Sequence, residues 1–211
     1  MSAHAKLLQG LASLNLALPQ QTQEKLLHYV TLVQKWNKVY NLTAVRDADQ
    51  MLTHHLLDSL AVVPHVAAVK TILDVGSGAG LPGLPLALAL PDARVTLLDS
   101  NQKKAAFLNQ AVIELHLANV NVVCERVEKY QPRQRFDLVI SRAFSALREF
   151  VVLAGSLVAP GGTLLAMKGV HPLAEITQLN TIKCSFKLSN VASLAVPGLD
   201  AERHLVFLKA A

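Results

Sequence analysis

Along the first seventy residues, apolar side chains recur at steps of three and four. Leu7, Leu8, Leu11 and Leu14 share one face, and after Pro19 the spacing returns with Leu26, Leu27, Val30, Val33 and Trp36. That period predicts two helices, the second capped near Thr22. Met51, His55, Leu56 and Leu60 mark a third, over Asp49 to Val63. From Thr71 the texture changes. Short apolar runs alternate with longer mixed segments, the pattern of β-α-β units in a parallel sheet. The runs predict strands over Thr71–Val75, Val95–Leu98, Val120–Cys124, Phe136–Ile140 and Thr163–Met167, with helices over Gly83–Leu90, Lys103–Leu117, Ala146–Leu157 and Pro172–Leu179. Two further strands, Phe186–Ala195 and His204–Leu208, flank the turn-forming Pro197-Gly198-Leu199-Asp200. The expected architecture is α/β: a mostly parallel seven-stranded sheet with helices on both faces. A helical extension over residues 1–68 is expected to pack on a body spanning 69–211.

Composition narrows the class. Of 211 residues, 52% are hydrophobic and 17% charged, which excludes a disordered chain. The longest uncharged stretch, Phe150 to Met167, has the length of a membrane span, but Ala159-Pro160-Gly161-Gly162 interrupts it. The start, Met1 to Lys6, has no basic cluster leading into an apolar run. Cys124 and Cys184 form neither a disulfide framework nor a zinc-ligand pattern, and buried thiols are the expectation for both. A cytoplasmic protein with no membrane contact and no metal is expected. The net charge of +5 is uneven. Residues 71–141 balance seven basic against seven acidic side chains; 1–70 carry six against four, and 142–211 seven against four. The basic ends are expected to meet a polyanion, with ordinary surface charge as the alternative.

The sharpest chemical signal is Asp74-Val75-Gly76-Ser77-Gly78-Ala79-Gly80-Leu81-Pro82-Gly83, directly after the first expected strand. A glycine turn there brings backbone close to a ligand and aims a helix start at it. Asp99 closes the second strand, where a carboxylate can accept from ribose hydroxyls. The spacing is G-x-G-x-G, not the G-x-G-x-x-G of dinucleotide folds. A pyrophosphate would avoid Asp74, whereas a sulfonium and an ammonium would favour it. These residues resemble motif I and the ribose-binding acid of class I S-adenosylmethionine-dependent methyltransferases.

The fourth strand narrows the acceptor. Ile140-Ser141-Arg142-Ala143 lacks the Asn/Asp-Pro-Pro-aromatic motif that accompanies methylation of exocyclic amines. No Pro-Cys loop offers the nucleophile that methylation at cytosine carbon needs. Guanine N7 requires neither device, since its in-plane lone pair carries no proton. Two other readings share such a sheet: a nicotinamide-dependent oxidoreductase, disfavoured by the glycine spacing and Asp74, and an RNA-binding protein with a vestigial pocket, disfavoured by the intact motif.

Lys35-Trp36-Asn37, Tyr40-Asn41-Leu42-Thr43 and His55-Leu56-Leu57-Asp58-Ser59 join Asp74 to Gly83 and Leu97-Leu98-Asp99-Ser100 in a wider resemblance. Arg126-Val127-Glu128, Ser141-Arg142-Ala143, Met167-Lys168-Gly169 and Glu202-Arg203-His204-Leu205-Val206 complete it. Over nearly its whole length the chain resembles the bacterial 16S ribosomal RNA guanine-N7 methyltransferases, the glucose-inhibited division protein B family. It departs at His54-His55, where Arg-His is frequent, and at Lys103-Lys104, where Lys-Arg is usual.

The resemblance implies a Rossmann-like class I methyltransferase fold and the family's activity on the guanine-527 N7 of 16S ribosomal RNA. It implies S-adenosyl-L-methionine as cofactor, S-adenosyl-L-homocysteine as product, and a substrate within the small ribosomal subunit with no obligate protein partner. Gly76, Gly78 and Leu81 would line the methionine end with Asp74, Asp99 the ribose, and Val127 and Glu128 the adenine. Arg142, ending the fourth strand, would face the methyl-transfer centre as both catalytic and cofactor-binding residue. Lys103, Lys104, Lys168, Arg203 and His204 are the candidate RNA contacts. His54 is expected to reach Asp58 one turn on, and Trp36 to sit in the core.

Overall fold

The computed structural model describes residues 1–142, 144, 146–181 and 185–211. The chain opens with α1 (Ala3–Ser13), where Ser2 Oγ accepts from the Ala5 amide, and α2 (Gln20–Tyr40). Helix α2 starts two residues before Thr22, with Pro19 in the capping position. The fixed φ of Pro19 (−56°) already suits a helix start, and its carbonyl takes the Gln23 amide. Asn41, in the left-handed region at φ 49°, ends the helix. As expected, Trp36 packs edge-on against Phe107 and lines the core.

The third expected helix is not continuous. Helix α3 (Ala48–Met51) widens into a π-helical turn (Leu52–Leu57) before α4 (Asp58–Leu60) and α5 (Val63–Val66). Residues 55–63 are buried without a break, so this segment meets neighbours on every side. The wide turn also breaks the four-residue register in which His54 would face Asp58. His54 Nδ1 lies instead beside Gln50 O and Thr53 Oγ1, and Asp58 is held from elsewhere in the chain.

The body alternates β1 (Thr71–Val75), α6 (Gly83–Ala89), β2 (Arg94–Asp99), α7 (Gln102–Glu114), β3 (Val120–Cys124) and β4 (Phe136–Ser141). It continues through α8 (Leu147–Ala154), β5 (Val158–Lys168), α9 (Leu173–Thr181), β6 (Phe186–Ser193) and β7 (His204–Ala210). The strand order is β3-β2-β1-β4-β5-β7-β6. Neighbours from β3 to β5 pair in parallel, and β7 runs antiparallel to both β5 and β6. The order reverses between β1 and β4, which opens a crevice at the carboxyl ends of the strands.

Strand β5 begins five residues earlier than the expected Thr163, because Pro160-Gly161-Gly162 forms a bulge within it rather than a break before it. Phe136 pairs with Val158 and Leu138 with Thr163, leaving four residues opposite Asp137. Gly161 takes φ +77° in that bulge.

Successive strand residues serve opposite faces. Ile72, Leu97, Leu138, Ile140 and Leu165 share one core with α6, α7 and the N-terminal helices, through Leu7, Leu26, Tyr29, Leu56 and Leu60. Leu73, Leu98, Val139 and Leu164 share the other with Phe150 of α8 and Ile176 of α9. Edge strand β3 is covered incompletely, so Cys124 is exposed rather than buried. Cys184 lies outside the described residues. No helix among the described residues is long and apolar enough to cross a membrane.

Candidate active site

The glycine turn follows β1 and is fastened mainly by backbone hydrogen bonds. The amides of Gly76 and Ser77 both donate to Leu98 O, at 2.8 and 3.1 Å, tying the turn to β2. The Gly78 amide donates to Asp99 Oδ2 at 2.8 Å, and Gly76, Gly78 and Gly80 all adopt positive φ. The Tyr29 hydroxyl donates to Ala79 O at 2.8 Å, so α2 reaches across the molecule to clamp the loop. Burial holds that phenol well above its ordinary pKa, and it stays a neutral donor.

Asp74 is fully buried at the end of β1. Its Oδ2 accepts from the Gly83 amide at 2.9 Å, while Oδ1 has no protein partner. A Cβ on Gly83 would stand 2.7 Å from Asp74 Oδ2, so only glycine lets α6 start against this carboxylate. Burial raises the Asp74 pKa to about 7, opposed by the Gly83 amide and by nearby Arg142. Asp99 is also nearly buried. Its Oδ1 accepts from the Asn101 amide, and Lys104 Nζ stands 4.0 Å from Oδ2.

Beside these groups lies a cleft of about 270 Å³ walled by Val75, Gly76, Leu98, Asp99, Ser100 and Glu125 through Glu128, with Phe144 at one side. Gly76, Asp99, Val127 and Glu128 thus meet around one space. Leu81 is buried in the loop, and Gly78 faces Lys104. The acceptor set suits an adenosyl sulfonium with an ammonium group: Asp99 on the cleft wall, buried Asp74 beside it with one oxygen unpartnered, and apolar walls. A pyrophosphate would meet the same two carboxylates as repulsion. A larger cavity, about 800 Å³, lies away from this loop between α1, the π turn and the 194–201 segment. None of the residues from Asp74 to Gly83 lines that larger cavity.

The expected RNA contacts fall in two groups. Asn101 caps α7 by accepting from the Lys103 and Lys104 amides, which sets both lysines beside the β2 end. Lys103 is exposed. Lys168, Arg203 and His204 gather where β5 ends and β7 begins, with Lys168 and His204 paired in register. Lys168 Nζ is only slightly exposed and bonds Glu175 at 2.8 and 3.1 Å and Phe144 O at 3.2 Å. His204 is buried, its Nδ1 2.8 Å from Gly169 O.

Arg142 turns toward the N-terminal helices. Its Nη1 donates to Asp58 Oδ2 and to His54 O, both at 3.2 Å. Arg203 Nε donates to Asp58 Oδ1 at 2.9 Å. Sequence reasoning missed Asp58 as the meeting point of these arginines, and missed the Tyr29 clamp. Neither partner lies near in sequence. His55 is buried beside Thr43 Oγ1, and burial, aided by Arg142, lowers its pKa to about 4, which keeps the ring neutral.

The β3-β2-β1-β4-β5-β7-β6 sheet with one reversed strand and an acid-flanked glycine loop defines a class I S-adenosylmethionine-dependent methyltransferase fold. Solved structures share it at low identity. TrmN from Thermus thermophilus superposes with TM-score 0.55 at 18% identity, covering 72% of this chain and 48% of that one. A SAM-dependent methyltransferase from Thiobacillus denitrificans, solved with S-adenosyl-L-homocysteine, gives 0.51 at 13%, covering 74% and 90%. The family model for rRNA small subunit methyltransferase G matches residues 22–206. Ribosomal RNA small subunit methyltransferase G of Aromatoleum aromaticum is 56% identical over 213 residues, 99% of each chain. That of Laribacter hongkongensis is 56% identical over 208, again 99% of each. The chain belongs to the rRNA small subunit methyltransferase G family.

Proposed function

We propose that this chain methylates the N7 of a single guanine in 16S ribosomal RNA, the family's guanine-527 position, by in-line attack without a general base. The broader activity, S-adenosylmethionine-dependent methylation of ribosomal RNA, follows from family membership. The observation that carries the finer reading is the end of β4. Ser141 Oγ donates to Val75 O at 2.7 Å and Arg142 is tied to Asp58, so neither group is a base for an exocyclic amine.

The bound cofactor supplies an electrophilic methyl group on a sulfonium. Asp74 and the loop glycines orient the amino-acid end, Asp99 accepts from the ribose, and Val127 with Glu128 holds the adenine. The N7 lone pair forms the new N–C bond as the S–C bond breaks, positive charge passes to the base, and no proton leaves. Positioning and exclusion of water then supply the rate, and effective molarities of ~10⁵ M or more are available from positioning alone. The guanine must leave its stack to enter, at a cost of a few kcal/mol. Cations commonly read guanine through N7 and O6 together. Here N7 must stay bare, so Lys103, Lys104 and Arg203 serve O6 or phosphate, while Lys168 and His204, held by Glu175 and Gly169 O, shape the β5 and β7 ends beside them. The setting is a cytoplasmic encounter with the small ribosomal subunit.

The test is to incubate the protein with labelled S-adenosylmethionine and small-subunit RNA, then map the product by borohydride and aniline cleavage. Cleavage at one guanine is expected. Label at another atom, or in no RNA, would overturn the reading. Calorimetry should show S-adenosylhomocysteine binding and no NAD binding.

A further inference from the structure

The end of α2 carries an aromatic ring that the cofactor cleft does not use. Tyr40 is 41% exposed in the last turn of that long helix, and Val39 beside it is 70% exposed. The Tyr40 ring lies over Trp36 with centroids 5.2 Å apart at 31°, and Trp36 meets the edge of Phe107 of α7 at 5.7 Å. Phe107 is fully buried and Trp36 partly so, which leaves Tyr40 as the outer step of a stack anchored in the core. The turn that bears it is pinned. Arg46 donates from Nη2 to Asn41 Oδ1 at 2.7 Å and from Nη1 to Asn37 O at 3.2 Å, folding the chain back against the helix end.

Helices α2 and α7 run antiparallel. His28 meets Glu114 at 3.3 Å, and Trp36, eight residues on in α2, meets Phe107, seven residues back in α7. The same register carries the Tyr40 turn to the first turn of α7, where Lys103 and Lys104 stand. Lys104 Nζ is 4.0 Å from Asp99 Oδ2, so that turn also borders the adenosyl cleft. Residues 34–46 and 100–113 contain Lys35, Lys38, Arg46, Lys103 and Lys104 and no acidic side chain. Lys38 and Lys103 are exposed and form no ion pair among the described residues. A flat apolar ring rimmed by unpaired cations matches a polyanion whose units have flat faces, a single strand of nucleic acid.

We infer that Tyr40 is a stacking platform for a nucleobase of the RNA strand flanking the target guanine, with Lys38 and Lys103 meeting neighbouring phosphates. The inference deepens the proposed function and rests on it for the identity of the ligand. An enzyme that draws one base out of its stack must also hold the nucleotides beside it. A ring already fixed on Trp36 does so at little cost in ordering. Stacking accepts any base, so the platform grips the strand while the pocket selects the guanine.

The test compares wild type with Tyr40→Phe, Tyr40→Leu and Tyr40→Trp. Binding of an oligoadenylate RNA carrying one 2-aminopurine is followed by the fluorescence quenching that stacking causes. Methyl transfer is measured on small-subunit RNA, and S-adenosylhomocysteine affinity by calorimetry. Wild type and Tyr40→Phe are expected to quench the probe alike. Tyr40→Leu still covers Trp36 but has no ring. It should lose most of the quenching, bind the oligomer about tenfold more weakly and raise KM for RNA by a similar factor. Its kcat, cofactor affinity and salt slope should stay close to wild type, because no phosphate contact is removed. Lys38→Ala should instead flatten the slope by about 0.7 and keep the quenching. No quenching by wild type, or equal quenching by Tyr40→Leu, overturns the platform. So does a Tyr40→Leu defect that appears with the assembled small subunit and not with RNA alone, in favour of a protein of the subunit as the partner. If Tyr40→Leu does not fold, Tyr40→Trp decides: its larger ring should deepen the quenching and tighten binding, and no change refutes the stack. Quenching that depends on Tyr40, in a protein whose wild type transfers no methyl, would sustain the platform and reject the proposed reaction.

Discussion

The adenosyl cleft and the arginine pair lie at the same edge of one sheet but are held together differently. Around the cleft, backbone amides grip carboxylates across short stretches of chain: Gly78 to Asp99 spans 21 residues, Gly83 to Asp74 nine, Asn101 to Asp99 two. Around Asp58, side chains grip each other across 84 and 145 residues. Backbone contacts specify shape whatever the neighbouring side chains are. Ion pairs specify a charge at a place, and a single substitution can remove them. The difference fits the proposed roles, one region to hold a small molecule of fixed form and the other to meet a large, flexible polyanion.

Substitutions on the two sides should therefore separate by ligand, and any crossover would break the comparison. The largest effect is expected for Asp74→Ala. Losing charge-assisted contacts of about 1.5–3 kcal/mol lowers S-adenosylhomocysteine affinity roughly ten- to hundredfold, measured by calorimetry, with RNA binding unchanged. Arg203→Ala should lower kcat/KM for RNA about tenfold while cofactor affinity stays within about threefold; lost cofactor binding with intact RNA affinity would move Arg203 to the other side.

Acidity sharpens the division further. Asp74 ionises near pH 7 in the fold against an ordinary value of 3.8. A cofactor ammonium favours the ionised form, so calorimetric affinity should rise about tenfold from pH 6 to pH 8, and Asp74→Asn should abolish the dependence. The folded protein keeps a proton that the unfolded chain has released between pH 3.8 and 7. The ligand-free fold therefore loses stability as pH rises through that window. His55 acts oppositely, because its lowered pKa leaves the unfolded chain holding the extra proton between pH 4 and 6.5. Denaturant melts of His55→Asn should expose the Asp74 slope that the wild type partly cancels.

Smaller effects follow at the clamp on the loop and at the surface. Tyr29→Phe leaves the buried Ala79 carbonyl without its donor, a loss of about 1–3 kcal/mol in denaturant stability. Cofactor affinity should weaken a few-fold with it. Lys103→Ala should change RNA binding about twofold and flatten its salt slope by no more than about 0.7.

The same contrast explains what could be read from the chain. Short apolar runs located the seven strands, the period-3.6 spacing located the long N-terminal helices, and the motif from Asp74 to Gly83 marked the glycine turn after β1 because its determinants are contiguous. Asp58 looked like an ordinary helical acid. Its role depends on a turn that widens by one residue and on arginines from the ends of two distant strands, which no local pattern records. Pro160-Gly161-Gly162 read as a break ahead of a strand starting at Thr163, because Pro and Gly lower strand propensity. The residue count opposite Asp137, which makes it a bulge, is visible only in the paired strands. Cys124 read as buried because β3 resembles inner strands in sequence, and edge position is a property of topology.

The π turn at Leu52–Leu57 has a consequence for how this chain can vary in length. A turn closed at five residues encloses one more than an ordinary helical turn. Deleting any single residue there would restore a regular helix, but would rotate Ala48–Met51 by about 100° relative to Asp58. Met51 would leave the core, and Asp49 would swing away from Lys6, its ion-pair partner on α1. The number of residues between Met51 and Asp58 sets where the N-terminal helices sit over the arginines. Buried Leu52, Leu56 and Leu57 already restrict which side chains fit there, and the wide turn adds a restriction on insertion and deletion.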